Sequence, residues 1–154
     1  MTIIRTILSF IGAWLLAALA TTLLGVVFQT QRLLARLNDL DAGITLGERL
    51  SMTAYDLQHF GSLYVLPILG AFFIAMLVAL LVSLWLRDAR PVVCAGAGLV
   101  AMLVMLLAMK QVFFGVQLVG GARETLGFAL QLVAGAVGGL IFAAAFTRMQ
   151  QPRR

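Results

Sequence analysis

Long apolar runs dominate the chain and alternate with shorter stretches that carry most of the charge. Four runs of this kind cover about residues 6–29, 60–86, 91–114 and 125–147. A helix needs about 20 apolar residues to cross ~30 Å of hydrocarbon, and none of these runs shows the two-residue alternation of a β-barrel strand. The pattern predicts an all-α membrane protein, a four-transmembrane-helix bundle that forms a single integral membrane domain over residues 1–154.

The stretch between the first two runs, residues 30–59, has a different pattern. Leucines recur at helical spacing on one face, with arginines opposite, which predicts an amphipathic helix that continues helix 1 or bends onto the membrane surface. Thr45 and Glu48 have the spacing of a capping box, which predicts the start of a second short helix. We therefore expect a long amphipathic helical loop between helices 1 and 2. It serves either as a docking surface or as a pair of helices lying in the lipid headgroups.

Composition excludes several classes of protein. Hydrophobic residues make up 62% of the chain and charged residues 11%, whereas soluble domains are nearer 45–50% and 25%. One cysteine and one histidine leave no intrachain disulfide, no cysteine-based zinc site and no pair of imidazoles for a haem, so we expect no cofactor. The basic residues are scattered singly and form no basic face, which argues against a nucleic-acid partner despite the net charge of +5.

The distribution of Lys and Arg predicts the orientation only by a narrow margin. If the N-terminus is cytoplasmic, six basic residues lie on that side and five on the other. The cytoplasmic set is Arg5, Arg87, Arg90, Arg148, Arg153 and Arg154, and the opposite set is Arg32, Arg36, Arg49, Lys110 and Arg123. We expect a multi-pass protein of a bacterial inner membrane with both termini cytoplasmic.

Small residues recur at every fourth position in all four runs, which lets helix backbones approach closely in lipid. The ridges include Ala13 and Ala17, then Ala71, Ala75 and Ala79, and then a candidate helix-packing face formed by Gly127, Gln131, Gly135 and Gly139. We expect these ridges to face protein, either within the bundle or in a homodimer, and expect Gln131 to hydrogen-bond between helices. Leu99, Leu103 and Leu106 are expected to face lipid.

Polar residues collect at the predicted outer face of the bundle. This candidate cluster is Asp56, His59, Lys110, Gln117, Arg123 and Glu124. Asp56 and His59 lie one helical turn apart, as an acid–base pair requires, but no nucleophile motif accompanies them. The alternative interpretations are that Lys110 extends to the headgroups and that Glu124 marks the start of helix 4.

Three functions remain open. The first is a non-enzymatic structural or interaction subunit that self-associates or docks on a larger membrane complex. The second is a small transporter or channel that works as an oligomer, and the third is a lipid-acting enzyme with its site at the outer face. The sequence favours the first, since no catalytic motif occurs and few polar residues lie within the runs. The expected partners are membrane lipids and either a second copy or a partner membrane protein.

Overall fold

Four helices make up the protein, which a computed structural model describes over residues 2–40, 43–86, 88–112 and 124–151. They are α1 (Thr2–Asp39), α2 (Leu46–Ser83), α3 (Arg90–Val112) and α4 (Thr125–Gln150). Each is long and apolar enough to cross a membrane, and no strand occurs in the residues described. The predicted all-α fold with four membrane-length helices is confirmed.

The helices form a ring in which α1 and α3 each pack against both α2 and α4. Neighbours run antiparallel, as the contacts between α1 and α4 illustrate. Near one end Arg5 donates to the carbonyl oxygen of Gln151 at 2.7 Å, and near the other Gln131 donates to the carbonyl oxygen of Gly25 at 2.9 Å. Every helix therefore buries one face against two neighbours and leaves another face exposed.

The prediction of a long loop over residues 30–59 is wrong. That stretch instead forms the last turns of α1 and the first turns of α2, separated by residues 40–45. Neither glycine nor proline occurs between Gly25 and Gly43, so nothing in the backbone ends α1 where its hydropathy falls. Gly43 then adopts a positive φ of 58°, which glycine tolerates best, and the predicted capping box of Thr45 and Glu48 starts α2.

Close backbone contact joins α3 to α4. A Cβ atom added to Gly98 would overlap the carbonyl oxygen of Gly135, and one added to Gly139 would overlap that of Cys94. Gly135 and Gly139 of α4 thus pack against α3 of the same chain. Ala13 on the opposite side of the ring is fully buried, as its place in a small-residue ridge predicts.

The predicted lipid-facing stripe of α3 is wrong at one position. Leu99 is 37% exposed, but Leu106 is only 1% exposed. Leu106 follows Met102 by one turn, and the core face of α3 already includes that methionine. On α2, Ala79 is buried, whereas Ala71 is half-buried and lines a shallow apolar groove against α3.

Candidate functional site

The end of the bundle where α1 stops and α2 starts is called here the hairpin end. A helix of 38 residues is about 57 Å long, whereas the hydrocarbon layer is ~30 Å thick. Residues 6–31 carry no charge, so this is the part of α1 that is apolar enough to lie in hydrocarbon. The charged turns beyond it, residues 32–39 of α1 and residues 46–59 of α2, are called the arms.

Hydrogen bonds hold the arms together at their base. Thr30 donates to Oδ2 of Asp56 at 2.7 Å, and Gln31 donates to the hydroxyl of Thr53 at 3.1 Å. Both bonds join α1 to α2. Asp56 of the predicted cluster is therefore bound to α1 and positions the two arms side by side.

A groove of about 540 Å³ runs between the arms. Its walls are mainly apolar, and Thr30, Ser51 and Asp56 supply its polar side chains. The apolar lining is Leu33, Leu34 and Leu37 from α1 with Met52 and Tyr55 from α2. Such a surface suits an apolar ligand or helix that also carries a hydrogen-bond donor or a positive charge.

An ion cluster ties the arm of α1 to the start of α4. Glu124 is the N-cap residue of α4, but its side chain makes no cap hydrogen bond. Instead Oε2 accepts from Arg32 at 2.9 Å and Oε1 accepts from Arg36. These hydrogen bonds, first from Arg36 and then from Arg32, hold the pKa of Glu124 below its ordinary value. The sequence interpretation of Glu124 as the start of helix 4 did not include these partners.

The Glu124 cluster gives the bundle a predictable dependence on acid. The pKa of Glu124 is lower in the folded state than its ordinary value of 4.5. Its contribution to the stability of the folded state is therefore complete above the ordinary pKa and is lost as the pH falls through the pKa of the folded state. We expect the melting midpoint of wild type to exceed that of the Glu124→Gln variant at pH 7, and the two midpoints to converge as the pH falls. Asp88→Asn, at the other end, serves as the control. A gap between wild type and Glu124→Gln that is independent of pH would contradict the assignment.

A polar junction lies inside the bundle at the same end. The phenol of Tyr64 donates to Oε1 of Gln131 at 3.0 Å, and Nε2 of Gln131 donates to the carbonyl oxygen of Gly25 at 2.9 Å. Tyr64 and Gln131 are each 1% exposed. A Cβ at Gly25 would lie 2.8 Å from Oε1 of Gln131, so this glycine leaves room for the carboxamide. The junction joins α1, α2 and α4.

The remaining residues of the predicted polar cluster have separate surroundings. The ring of His59 stacks on Tyr55 with centroids 4.0 Å apart, and its Nδ1 lies 3.0 Å from the Tyr55 carbonyl oxygen. Lys110 is exposed near the end of α3. Gln117 and Arg123 lie outside the described residues. Among the residues described, no ion pair or hydrogen bond links Asp56, His59, Lys110 and Glu124.

The candidate packing face on α4 lies inside the chain, since Gly127, Gln131, Gly135 and Gly139 are all buried. No group of three or more His, Cys, Asp or Glu side chains that could hold a metal ion occurs in the described part of the chain. The chain matches no protein-family model, no curated protein and no solved structure.

Sequence reasoning missed the roles of Tyr64 and Arg32. Tyr64 is one of two tyrosines in the chain and lies within a lipid-length apolar run, where a phenol requires a partner. That requirement was a usable signal, and Gln131 offers an acceptor at similar depth. The pairing of Arg32 with Glu124 spans 92 positions, and no local pattern predicts it.

Proposed function

We propose that this chain is a non-enzymatic, multi-pass membrane protein that uses its arms to bind a helix of a partner membrane protein. The arms would lie on the side of a bacterial inner membrane opposite the cytoplasm. The observation that carries this proposal is the exposure of Leu33 and Leu37, by 45% and 39%, where the arm of α1 lines the groove, together with that of Leu40, by 78%, directly after this arm.

The hydrocarbon layer does not accommodate these leucines together with the apolar span that precedes them. A transmembrane helix that is tilted by as much as 40° still spans about 44 Å along the bilayer normal if it is 57 Å long, which exceeds the ~30 Å hydrocarbon. The arms also carry the charged residues Arg32, Arg36, Asp39 and Arg49. Exposed apolar side chains and charged residues thus lie together on the arms, and contiguous apolar patches of this kind mark sites of interaction.

The spacing of the leucines favours a helical partner. Leu33, Leu37 and Leu40 stand at i, i+4 and i+7, the pattern by which one helix packs into the groove of another. On the arm of α2, Leu46 and Leu50 are 81% and 74% exposed. The two arms thus offer apolar side chains for a third helix to cover.

The charge of Asp56 favours a different protein over a second copy of the chain as the binding partner. In a two-fold dimer a patch faces itself, which would bring the carboxylate of Asp56 in one groove toward the same carboxylate in the other. A partner helix with a Lys or Arg at that level instead supplies an opposite charge, and electrostatic complementarity of this kind sets specificity. The expected partner is an amphipathic helix with leucine-like anchors and one basic residue.

Photo-crosslinking in native membranes tests the proposal. With benzoylphenylalanine in place of Leu37, we expect one adduct heavier than the chain but different in mass from a dimer. The Asp56→Asn substitution should weaken this adduct, because it removes the charge of the groove while its Oδ1 can still accept from Thr30. Asp39→Asn, which removes the charge of an exposed acid of the arm of α1 outside the groove, should preserve it, and benzoylphenylalanine at Leu66 within the lipid-facing span should not form it.

The other outcomes contradict the proposal. An adduct of twice the chain mass would show self-association, and an adduct of unchanged yield in Asp56→Asn would remove the role of the Asp56 charge. Melting of purified Asp56→Asn must stay close to that of wild type, so that loss of the adduct reflects binding. A cysteine in place of Asn38, an exposed polar residue of the arm of α1, should react with an impermeant maleimide in spheroplasts, and protection there would contradict the orientation.

A further inference from the structure

A second cavity, of about 520 Å³, lies at the end of the bundle opposite the arms. All four helices or their adjoining residues contribute to it. Its polar lining is Thr6, Ser83, Arg90 and Gln150, and Leu80, Leu84 and Phe146 supply its apolar lining. Because these residues flank the apolar spans, the cavity lies at the level where lipid headgroups meet hydrocarbon.

Arg90 is the positive charge of this cavity. Its guanidinium carbon lies 4.7 Å from the centre of the Phe146 ring, and Phe146 is itself stacked on Phe142. The Nε atom of Arg90 is buried and has no hydrogen-bond partner among the described residues. A guanidinium held this way, with a donor shielded from water, requires an acceptor.

The charge around the cavity favours an anion. Arg5 and Arg148 lie at the same end in the structure, and Arg87, Arg153 and Arg154 adjoin it in sequence. The one acidic residue near them in sequence is Asp88, which is exposed. Arg5 already donates to the carbonyl oxygen of Gln151, whereas Arg90 lines the cavity.

We propose that this cavity binds the phosphate headgroup of an anionic phospholipid, with the guanidinium of Arg90 on the phosphate and an acyl chain along Leu80 and Leu84. The planar fork of arginine matches phosphate oxygens. Basic pockets between transmembrane helices bind anionic headgroups in the same manner. This site is independent of the arms and of the helix proposed to bind them.

Lipid binding to the purified full-length chain in neutral detergent tests this site. Native mass spectrometry should show retention of phosphatidylglycerol and much weaker retention of phosphatidylcholine. Arg90→Gln should weaken phosphatidylglycerol binding by about tenfold or more, since a charge-assisted hydrogen bond is lost. Arg148→Gln removes the same charge from an exposed position at the same end and should leave the affinity unchanged.

Thermal melting separates the lipid from a soluble anion. Phosphatidylglycerol should raise the melting midpoint of wild type but not that of Arg90→Gln, and the lipid-induced shift is compared within each variant so that any effect of the substitution on folding cancels. Inorganic phosphate at matched ionic strength should produce no shift. Equal stabilisation by inorganic phosphate, equal binding of the two lipids, or unchanged affinity in Arg90→Gln would each overturn the assignment.

Discussion

Replacing Gly98 with alanine is expected to destabilise the bundle by about 3 kcal/mol, at the upper end of the range for overpacked interiors. The added Cβ would overlap the carbonyl oxygen of Gly135 and approach the backbone nitrogen of Gly139 to 3.1 Å. Because these neighbours are backbone atoms, no change of side-chain rotamer relieves the contact. Helices α3 and α4 must move apart along their closest line of contact.

Cys94 provides the measurement for this variant. It is the only cysteine of the chain and is fully buried, with its carbonyl against Gly139. A thiol-reactive dye therefore reports separation of α3 from α4 as temperature rises. We expect the labelling midpoint of Gly98→Ala to fall by about 10 °C relative to wild type, given a few degrees per kcal/mol for a chain of this size.

Gly96 is the matched control on the same helix. A Cβ added there meets nothing within 4 Å, so Gly96→Ala gains the helix propensity of alanine without a clash. Its labelling midpoint should equal or exceed that of wild type. If the two variants melt at the same temperature, close backbone packing between α3 and α4 does not hold the bundle together.

The second large effect is expected at the polar junction of Tyr64 and Gln131. Tyr64→Phe leaves Oε1 of Gln131 without its donor, and Gln131→Leu leaves the buried phenol without its acceptor. Each single substitution should cost about 1–3 kcal/mol, because a buried polar group left unpaired carries its full desolvation penalty. The double substitution removes both groups and should cost clearly less than the sum of the two.

A double-mutant cycle, with Cys94 labelling in denaturant as readout, measures this coupling. In membrane proteins such couplings average ~0.6 kcal/mol and reach ~1.7, and burial of both groups favours the upper part of that range. Thr22→Val is the control, since the Thr22 hydroxyl bonds only to its own helix at Ala18. Strictly additive effects of Tyr64→Phe and Gln131→Leu would show that the hydrogen bond does not couple α2 to α4.

The number of helices was predictable, because a helix that crosses the hydrocarbon needs an apolar run of a minimum length. Runs of this length are directly visible in the sequence. The capping box of Thr45 and Glu48 was also predictable, although the sequence assigns it to a separate short helix and not to the start of α2. The connection between helices 1 and 2 is predicted far too long, because residues 30–59 fall outside the apolar runs although helix continues on both sides of residues 40–45. Hydropathy reports the solvent around a helix, whereas glycine, proline and caps report where its backbone stops.

The rotation of each helix about its axis was harder to predict. Leu106 was assigned to lipid by its spacing from Leu99, yet it is buried. In lipid, leucine is as well placed outside as inside, so apolar spacing does not distinguish the two faces. Glycines are more informative: the contact between Gly98 and Gly135 depends on the absence of side chains and therefore has a sequence signal. The Arg32, Arg36 and Glu124 cluster brings together distant positions and had none.

The ring arrangement has a consequence for the order of assembly during synthesis. α1 leaves the ribosome well before α4, although α4 covers one of its buried faces, so this face first meets lipid. Thr21 and Thr22 tolerate that interval because their hydroxyls donate to carbonyl oxygens of α1 itself. The phenol of Tyr64, by contrast, gains its acceptor on Gln131 only after α4 has been inserted. Ring closure is thus a late event in biogenesis, and formation of the Tyr64–Gln131 bond marks its completion.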